Sequence, residues 1–293
     1  MRYLQAGPYR LPLDRPLVMG IVNVTPDSFA DGGRFRRQQE AETHARHLLD
    51  EGADILDIGG ESTRPGAAQV SDDEELQRVM PLLERLADCG KPVSIDTRKA
   101  RVMQAAIASG AAMINDIDAL RAPDALQTLA ASDAAVCLMH MQGRPETMQQ
   151  APQYADVVGE VLAYLAERIA ACRAAGIAAE RLVIDPGFGF GKSIDHNLTL
   201  LRQLHCFATL GVPLLAGLSR KGMLGTLTGR PVDQRVHASV AAALAAASRG
   251  AAILRVHDVA ATVDALKIWH AAALDRCATD EAAGAFQVTQ SVT

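Results

Sequence analysis

The sequence lacks several features that would each indicate a particular class of protein. Its five cysteines are odd in number and widely spaced, without a Cys-x-x-Cys pair, so neither a disulfide framework nor a zinc site is predicted. No run approaches the roughly 18 apolar residues of a membrane span, and the first residues hold no apolar signal-peptide core. The net charge of −5 gives no basic footprint for nucleic acid. We therefore expect a cytoplasmic protein with reduced thiols that binds neither membranes nor nucleic acid.

Short apolar segments alternate with longer Ala- and Leu-rich ones along most of the chain. The predicted strands are 17–23, 54–58, 92–96, 112–117, 135–140, 181–185, 213–217 and 252–256. The predicted helices that follow them are 40–50, 72–88, 99–109, 123–132, 154–175, 195–204, 232–248 and 258–273. Near-continuous apolar strands between helices are typical of a buried parallel sheet. Eight such units predict an α/β fold, a (β/α)8 TIM barrel with long loops after its first two strands; an open doubly wound sheet is the alternative.

No linker or shift in composition divides the chain, so residues 1–277 are expected to form one domain. Residues 278–293 are mostly small and polar without periodicity, which predicts a disordered tail. Two segments, 23–35 (NVTPDSFADGGRF) and 59–68 (GGESTRPGAA), are longer than ordinary loops of a β/α unit. Their dense polar content favours lids over disordered insertions.

Every predicted strand ends in or near a polar or ionisable side chain. Active sites of β/α barrels lie at this end of the strands. The residues concerned are Asn23, Asp57, Asp96, Asn115, Asp116, His140, Asp185, Ser219, Arg220, Lys221, Arg255 and His257. Any single one can be a helix cap or a turn former, Asp96 and Asp185 included. Their convergence in a barrel nevertheless predicts a site.

Two groups of these side chains indicate different ligands. Two carboxylates and an amide, those of Asp96, Asn115 and Asp185, suit a flat heterocycle that offers several N–H donors. Arg220, Lys221, Arg255 and His257 follow the last two strands, where barrels often hold phosphate. Solvated surface charge is the alternative for this second group. It is the weaker reading for Arg255, because that residue lies in an otherwise apolar strand.

The glycine-rich run DPGFGFGKS at 185–193 looks like a nucleotide loop. Pro186 stands where the phosphate-binding motif requires its first glycine, and Pro has no N–H to donate. The spacing of Gly187, Gly189 and Gly191 also breaks the dinucleotide-binding pattern. A flexible turn after a strand is the remaining local interpretation, and it leaves Asp185 unexplained.

Eight motifs occur in one characteristic order: NVTPDSFADGG, GGESTRPGA, SIDTRKA, INDI, LMHMQG, DPGFGFGKS, GLSRKG and RVHDV. Together they resemble the dihydropteroate synthase family of bacterial folate biosynthesis, over about residues 17–273. Gly222 departs from the family, in which many members have Ser, and this concerns only fine substrate contacts. The rival interpretations are a methyltetrahydrofolate-dependent methyltransferase, a non-catalytic pterin-binding relative and a barrel without a ligand.

The resemblance implies a pterin-binding barrel, usually a homodimer, that uses Mg2+. The reaction it implies joins 6-hydroxymethyl-7,8-dihydropterin pyrophosphate to 4-aminobenzoate, gives 7,8-dihydropteroate and pyrophosphate, and has an SN1-like course. Sulfonamides are then expected to compete as mimics of 4-aminobenzoate. The resemblance also implies that Asp185 contacts the amino-pyrimidine edge of the pterin and that the glycines let the backbone and Phe190 approach the ring.

The resemblance also assigns roles to individual residues. The expected catalytic residues are Asp96, Asp185, Lys221, Arg255 and His257. The expected pterin contacts are Asp96, Asn115, Met139, Asp185, Phe190 and Lys221, with Gly217 a further substrate-binding residue. The expected pyrophosphate contacts are Thr63, Arg64, Arg255 and His257. The expected aminobenzoate contacts are Phe29, Thr63, Pro65, Ser219 and Lys221, and Asn23 is the expected metal ligand.

Overall fold

A two-stranded antiparallel hairpin near the amino terminus is the one sheet element that the sequence pattern did not predict. The computed structural model describes residues 2–24, 34–62, 69–145 and 147–274. In it, β1 (Tyr3–Ala6) pairs with β2 (Tyr9–Pro12). Leu4 and Ala6 are buried in a cluster with residues that begin the later strands, among them Leu17 and Ile253. The hairpin therefore covers the amino-terminal end of the barrel.

Eight parallel strands form the barrel in the order in which the sequence predicted them. They are β3 (Leu17–Asn23), β4 (Ile55–Gly59), β5 (Val93–Asp96), β6 (Met113–Asp116), β7 (Ala135–Met139), β8 (Leu182–Asp185), β9 (Leu215–Ala216) and β10 (Ile253–Val256). Neighbours pair from β8 back to β3, and then through β10 to β9. The barrel closes through a parallel bridge between Ile184 and Leu214 and a 3.0 Å hydrogen bond from the Ile184 amide to the Pro213 carbonyl oxygen.

Helices follow the strands and cover the outside of the barrel. They are α1 (Arg34–Asp50), α2 (Asp72–Arg85), α3 (Ala100–Ala108), α4 (Ala125–Ala130), α5 (Val157–Ala174), α6 (Ile194–Arg202), α7 (Gly222–Thr228), α8 (Val236–Ala247) and α9 (Val259–Leu274). The short helix α7, between β9 and α8, was not predicted. Side-chain caps fix several starts: Ser71 accepts a hydrogen bond from the Glu74 amide, and Ser193 forms a reciprocal capping box with His196.

The TIM-barrel prediction is confirmed, and the open doubly wound sheet is not what forms. Most predicted strands agree with the observed ones to within two residues. β9 is shorter than the predicted 213–217, because Pro213 has no amide hydrogen for a ladder. The four cysteines in the described ranges are unpaired. Within those ranges no helix is long and apolar enough to span a membrane.

Parts of several predictions lie outside the described residues. They are most of both proposed lids, residues 25–33 and 63–68, and the whole proposed tail, 278–293. The extent of the domain, 1–277, and the disorder of the tail therefore stay predictions.

Candidate active site

The strand register brings the polar strand ends into one row. Asn23 at the end of β3 is level with Gly59, Gly59 with Asp96, and Asp96 with Asn115. Met139 at the end of β7 is level with Asp185 at the end of β8. Since the strands are parallel, these side chains lie at the same, carboxyl-terminal edge of the barrel.

A buried charge cluster forms the centre of this edge. The Arg255 Nε donates to Asp57 Oδ2 at 2.6 Å, and its Nη2 donates to Asp96 Oδ2 at 2.7 Å. Asn115 Nδ2 donates to the same Asp57 oxygen at 3.1 Å. Asp57 is wholly buried, and its Oδ1 has no hydrogen-bond partner within the described part of the chain. One guanidinium group thus connects two carboxylates on neighbouring strands.

The electrostatics of this cluster follow from burial and pairing. Burial raises the pKa of Asp96 to about 7, although Arg255 pulls it down. Burial alone would lower the pKa of Arg255, but Asp57 and Asp96 outweigh it, so the pKa rises and the guanidinium stays charged. Asp96 does not cap the following helix, because Lys99 is the residue before α3 and makes no side-chain cap. The helix-cap alternative for Asp96 is therefore wrong.

Asp185 lies beside this cluster and combines a turn-forming role with a free oxygen. Its Oδ1 accepts a 2.7 Å hydrogen bond from the Gly187 amide, so the turn alternative was partly right. Its Oδ2 accepts none from the described residues and is 3.8 Å from where a Cβ on Gly217 would stand. Burial raises the pKa of Asp185, whereas the hydrogen bond from the Gly187 amide and the charges of Lys221 and Lys192 lower it. Gly217 thus keeps the space beside the free carboxylate oxygen open.

The alternating glycines of 185–193 have a steric explanation. Gly187, Gly189 and Gly191 all have positive φ, at 72°, 79° and 60°. A Cβ at Gly187 would stand 1.9 Å from the His140 carbonyl oxygen, and one at Gly191 would stand 2.4 Å from that of Gln142. The loop therefore packs directly onto the backbone that follows β7. The phosphate-loop and dinucleotide interpretations do not apply.

An apolar cluster and the ammonium group of Lys221 lie near Asp185. Phe190 belongs to a small buried cluster with Ile117, Met139, Met141 and Met148. The Lys221 Nζ lies 4.2 Å from the centre of the Phe190 ring, within cation–π range. Burial lowers the pKa of Lys221 to about 8, and Asp185 opposes that shift. A flat ring bound at the strand ends would find apolar side chains and a cation here.

Ser219 and His257 form a neutral pair at the ends of the last two strands. The Ser219 Oγ accepts from the His257 backbone amide at 3.2 Å and lies 3.0 Å from Nδ1 of the same residue. Burial, followed by the charge of Arg255, lowers the pKa of His257 to about 3. We assign the Ser219 hydroxyl as donor to Nδ1, which places the ring proton on Nε2. His257 therefore offers an N–H hydrogen bond rather than a positive charge.

Two strand-end residues turn out to have structural partners. Arg220 has φ 56° and pairs with both carboxylate oxygens of Asp258, at 3.1 and 2.5 Å. Its place among the predicted phosphate-binding cations is therefore not supported. Asp116 accepts the Asp118 and Leu120 amides at 2.8 and 2.7 Å and so forms a turn.

Residue-level reasoning missed two buried residues. Asp57 was noted as a strand end but given no role, although an acid inside the apolar strand ILDIG and an arginine inside ILRV suggest a pair. Lys192 stands where a phosphate-binding motif would have its lysine, yet it is 3% exposed and received no other role from the sequence. Four expected contacts, Phe29, Thr63, Arg64 and Pro65, lie outside the described residues.

Asn23, the residue that the resemblance assigned to a metal, offers one neutral oxygen donor. Asn23 is half-buried at the end of β3, and its Oδ1 lies beside Gly59, close to Asp96. No group of three or more His, Cys, Asp or Glu side chains in the described ranges is arranged to hold a metal ion. Mg2+ commonly takes one or two protein ligands and fills its shell with water and substrate phosphate oxygens. The Asn23 amide oxygen fits the protein's part of such a ligand set.

Known proteins match this sequence and this fold over most of the chain. A family model described as pterin binding enzyme matches residues 19–257. The dihydropteroate synthase of Neisseria meningitidis serogroup B is 56% identical over 274 residues, which are 91% of this chain and 96% of that protein. The chain belongs to the dihydropteroate synthase family. The resemblance inferred from the eight motifs is thereby confirmed, and members of this family are transferases.

Solved structures of dihydropteroate synthases share the barrel. That of Xanthomonas albilineans with 4-aminobenzoic acid is 57% identical and has a TM-score of 0.88, over 92% of this chain and 98% of that one. That of Burkholderia cenocepacia, complexed with 7,8-dihydropteroate, is 50% identical and has a TM-score of 0.85, over 94% and 98%. Because the chain belongs to the dihydropteroate synthase family, the rival interpretations as a methyltransferase and as a barrel without a ligand lose support.

Proposed function

We propose that the chain condenses 6-hydroxymethyl-7,8-dihydropterin pyrophosphate with 4-aminobenzoate to give 7,8-dihydropteroate and pyrophosphate. The observation that carries this proposal is the convergence of Asp96, Asn115, Asp185, Lys221 and Arg255 at one edge of the barrel. These residues are the ones that the family resemblance assigned to the pterin and its pyrophosphate. The non-catalytic alternative is disfavoured, since Asn23, Lys221 and His257 are all present.

The pterin is recognised at its polar edge and its flat face. The Asp185 Oδ2 is free to accept N–H donors of the amino-pyrimidine edge, and Asn115 offers a further amide oxygen. Met139 and Phe190 supply apolar contacts for the ring. The Asp96 carboxylate, which Arg255 holds in place, completes the polar edge. The contacts of Asp96 and Asp185 are strongest when both carboxylates are ionised.

Departure of pyrophosphate is the demanding step, because it leaves positive charge on the pterin methylene carbon and negative charge on the leaving group. The Nη1 of Arg255 makes no hydrogen bond to the described residues and can donate to a pyrophosphate oxygen. The neutral His257 donates a hydrogen bond from Nε2. Asp96 and Asp185, when ionised, stabilise the cation electrostatically. The weakly basic amine of 4-aminobenzoate then attacks the carbon and releases one proton to water. The course is SN1-like because pyrophosphate departs before the amine attacks.

Magnesium, dimerisation, location and drug binding belong to the same proposal. Asn23 would hold Mg2+, which neutralises charge on the pyrophosphate when it is bound. Ser219 and Lys221, together with Phe29, Thr63 and Pro65 beyond the described residues, would shape the aminobenzoate pocket. A cytoplasmic homodimer that is inhibited by sulfonamides agrees with the family.

A turnover assay tests the proposal. Purified protein is mixed with the pterin pyrophosphate, 4-aminobenzoate and Mg2+, with and without EDTA, and dihydropteroate and pyrophosphate are both quantified. We expect equal amounts of the two products, formed only with the metal. Tight pterin binding without product would instead favour the non-catalytic relative.

A further inference from the structure

The lysine of the glycine run is buried and has a full set of partners. The Lys192 Nζ lies 3.0 Å from the carbonyl oxygens of Gly187 and Phe190 and 3.3 Å from that of His140. Nδ1 of His140 is a fourth acceptor at 3.0 Å. Three ammonium hydrogens therefore serve four acceptors, and no N–H is left for a phosphate. The Lys192 side chain thus links the loop after β8 to His140, which follows β7.

The carbonyl oxygens around Lys192 belong to the residues that form the proposed pterin site. Gly187 donates its amide to Asp185 at 2.7 Å, and Phe190 carries the ring that lies under Lys221. Without the ammonium group, the Phe190 and His140 oxygens would lose a charged donor in a buried place.

The charge of Lys192 also acts on Asp185. Lys192 is among the groups that lower the pKa of Asp185 against the effect of burial. Burial lowers the pKa of Lys192 itself to about 7, with Asp185 opposing. Burial and the lysine also lower the pKa of His140 to about 3, so the imidazole is a neutral acceptor.

Other side chains hold the far side of the same loop. Asn197 Oδ1 accepts from the Gly189 amide at 2.7 Å, and the Tyr154 hydroxyl donates to the Gly191 carbonyl oxygen at 2.8 Å. These contacts maintain the loop as a folded unit. Lys192 connects the carbonyl oxygens of the loop to His140, which directly follows β7.

We propose that Lys192 is a positioning residue for pterin recognition. Its ammonium group fixes the Gly187 and Phe190 carbonyl oxygens, so that the Asp185 carboxylate and the Phe190 ring face the ligand in one geometry. The inference rests on the proposed function, since it names a determinant of the same site. The lysine touches no reacting atom.

The variant Lys192→Met tests this role, because it keeps the length of the side chain and removes the charge and all three donors. Dissociation constants are measured by calorimetry for 6-hydroxymethylpterin and for the pterin pyrophosphate. We expect both to rise by about 10- to 100-fold, because a small misplacement of binding groups is enough for such a loss. The ratio of the two constants should stay as in the wild type, since the pyrophosphate contacts are unchanged. A general structural defect would change that ratio.

Two further variants complete the experiment. Lys267→Met makes the same chemical change at an exposed position of α9 and should bind both ligands as the wild type does. Lys192→Gln keeps two N–H donors; it serves if Lys192→Met does not fold, and it should show a smaller loss at an unchanged ratio. Wild-type affinity in the folded Lys192 variants, or a changed ratio, would overturn the proposal. A wild-type protein that binds no pterin would instead refute the proposed function.

Discussion

Asp57 shows how one buried residue can organise a charged centre. Its Oδ2 accepts hydrogen bonds from both Arg255 and Asn115, which come from strands on either side of it in the barrel. The sequence placed Arg255 in an apolar strand, and that unusual position correctly marked it as paired. Its partner could not be named in advance, because the two residues are 198 positions apart and only barrel closure brings them together.

Asp57→Asn is expected to impair both folding and turnover. Losing one carboxylate from a buried pair leaves Arg255 with Asp96 alone, which should lower the free energy of unfolding by about 3 kcal/mol. The guanidinium would also lose its orientation, so we expect kcat/KM to fall about 100-fold. Urea unfolding and steady-state kinetics measure the two effects.

Asp54→Asn is a suitable comparison for this change. Asp54 is also a buried acid, but it pairs with Arg15 at 2.8 Å and accepts the Val18 amide near the start of β3. It should lose stability and keep the kcat/KM of the wild type. Equal kinetics in both variants would contradict the role given to Asp57.

His257→Gln is expected to change how stability depends on pH. The pKa of His257 in the folded protein, about 3, is below its ordinary value of 6.5. As the pH falls through 6.5, the unfolded chain takes up a proton that the folded chain does not, so the wild type loses stability. At pH 5 that loss should reach up to about 2 kcal/mol at this site relative to pH 7.5. Urea unfolding of both proteins at the two pH values measures it; parallel pH dependence would show that the imidazole is not held neutral.

The loop 185–193 is the element in which sequence pattern and structure are most closely connected. Pro186 and the spacing of the glycines disfavoured a nucleotide loop in advance, and the backbone explains that spacing through positive φ and close packing. What a pattern could not give was the partner surface. The His140 and Gln142 carbonyl oxygens, against which the glycines pack, follow a different strand.

Comparing Gly187→Ala with Gly211→Ala separates the cost of a steric clash from the cost of a positive φ at a non-glycine residue. Its Cβ would stand 1.9 Å from a backbone oxygen, so we expect failure to fold or a loss of at least about 4 kcal/mol. Gly211 has nearly the same φ, 73°, but nothing lies within 4 Å of a Cβ there. Gly211→Ala should therefore cost only about 1 kcal/mol. Thermal unfolding compares the two, and similar losses would mean that φ alone explains the glycine.

Elements of the barrel were predictable to differing degrees. The strand β3 was located to the residue, because its continuous apolar run and its flanking polar segments agree. The hairpin of β1 and β2 was missed because its strands are four residues each and only alternate residues of β1 are buried. The helix α7 was missed because its seven residues are too few to show a helical period.

At the scale of the whole molecule, the barrel has a stabilising end and a ligand-facing end. Leu4 and Ala6 of the hairpin close the amino-terminal end with a dry apolar cluster. The polar residues gather at the opposite end, where the strands finish. The eight alternating strand and helix segments predicted that the polar residues would gather at one end of the barrel. They did not predict which segment covers the other end.

Leu4→Ala tests the separation of the two ends. Leu4 is wholly buried, so the variant should lose about 2–4 kcal/mol of unfolding free energy. The KM values for both substrates should remain those of the wild type, because the cavity forms at the far end of the barrel. Leu227→Ala, at a side chain that is 57% exposed, should change stability by less than about 0.5 kcal/mol. A raised KM in Leu4→Ala would show that the ends are coupled.

The most direct test of the account is a calorimetric titration of the pterin pyrophosphate into the wild type and into Asp185→Asn. The substitution keeps the size of the side chain but removes the charge of the free oxygen that faces the site. We predict saturable binding to the wild type and an affinity at least about 100-fold weaker in the variant, because the charge-assisted hydrogen bonds to Oδ2 are lost. Near wild-type affinity in Asp185→Asn would contradict the claim that this strand end recognises the pterin.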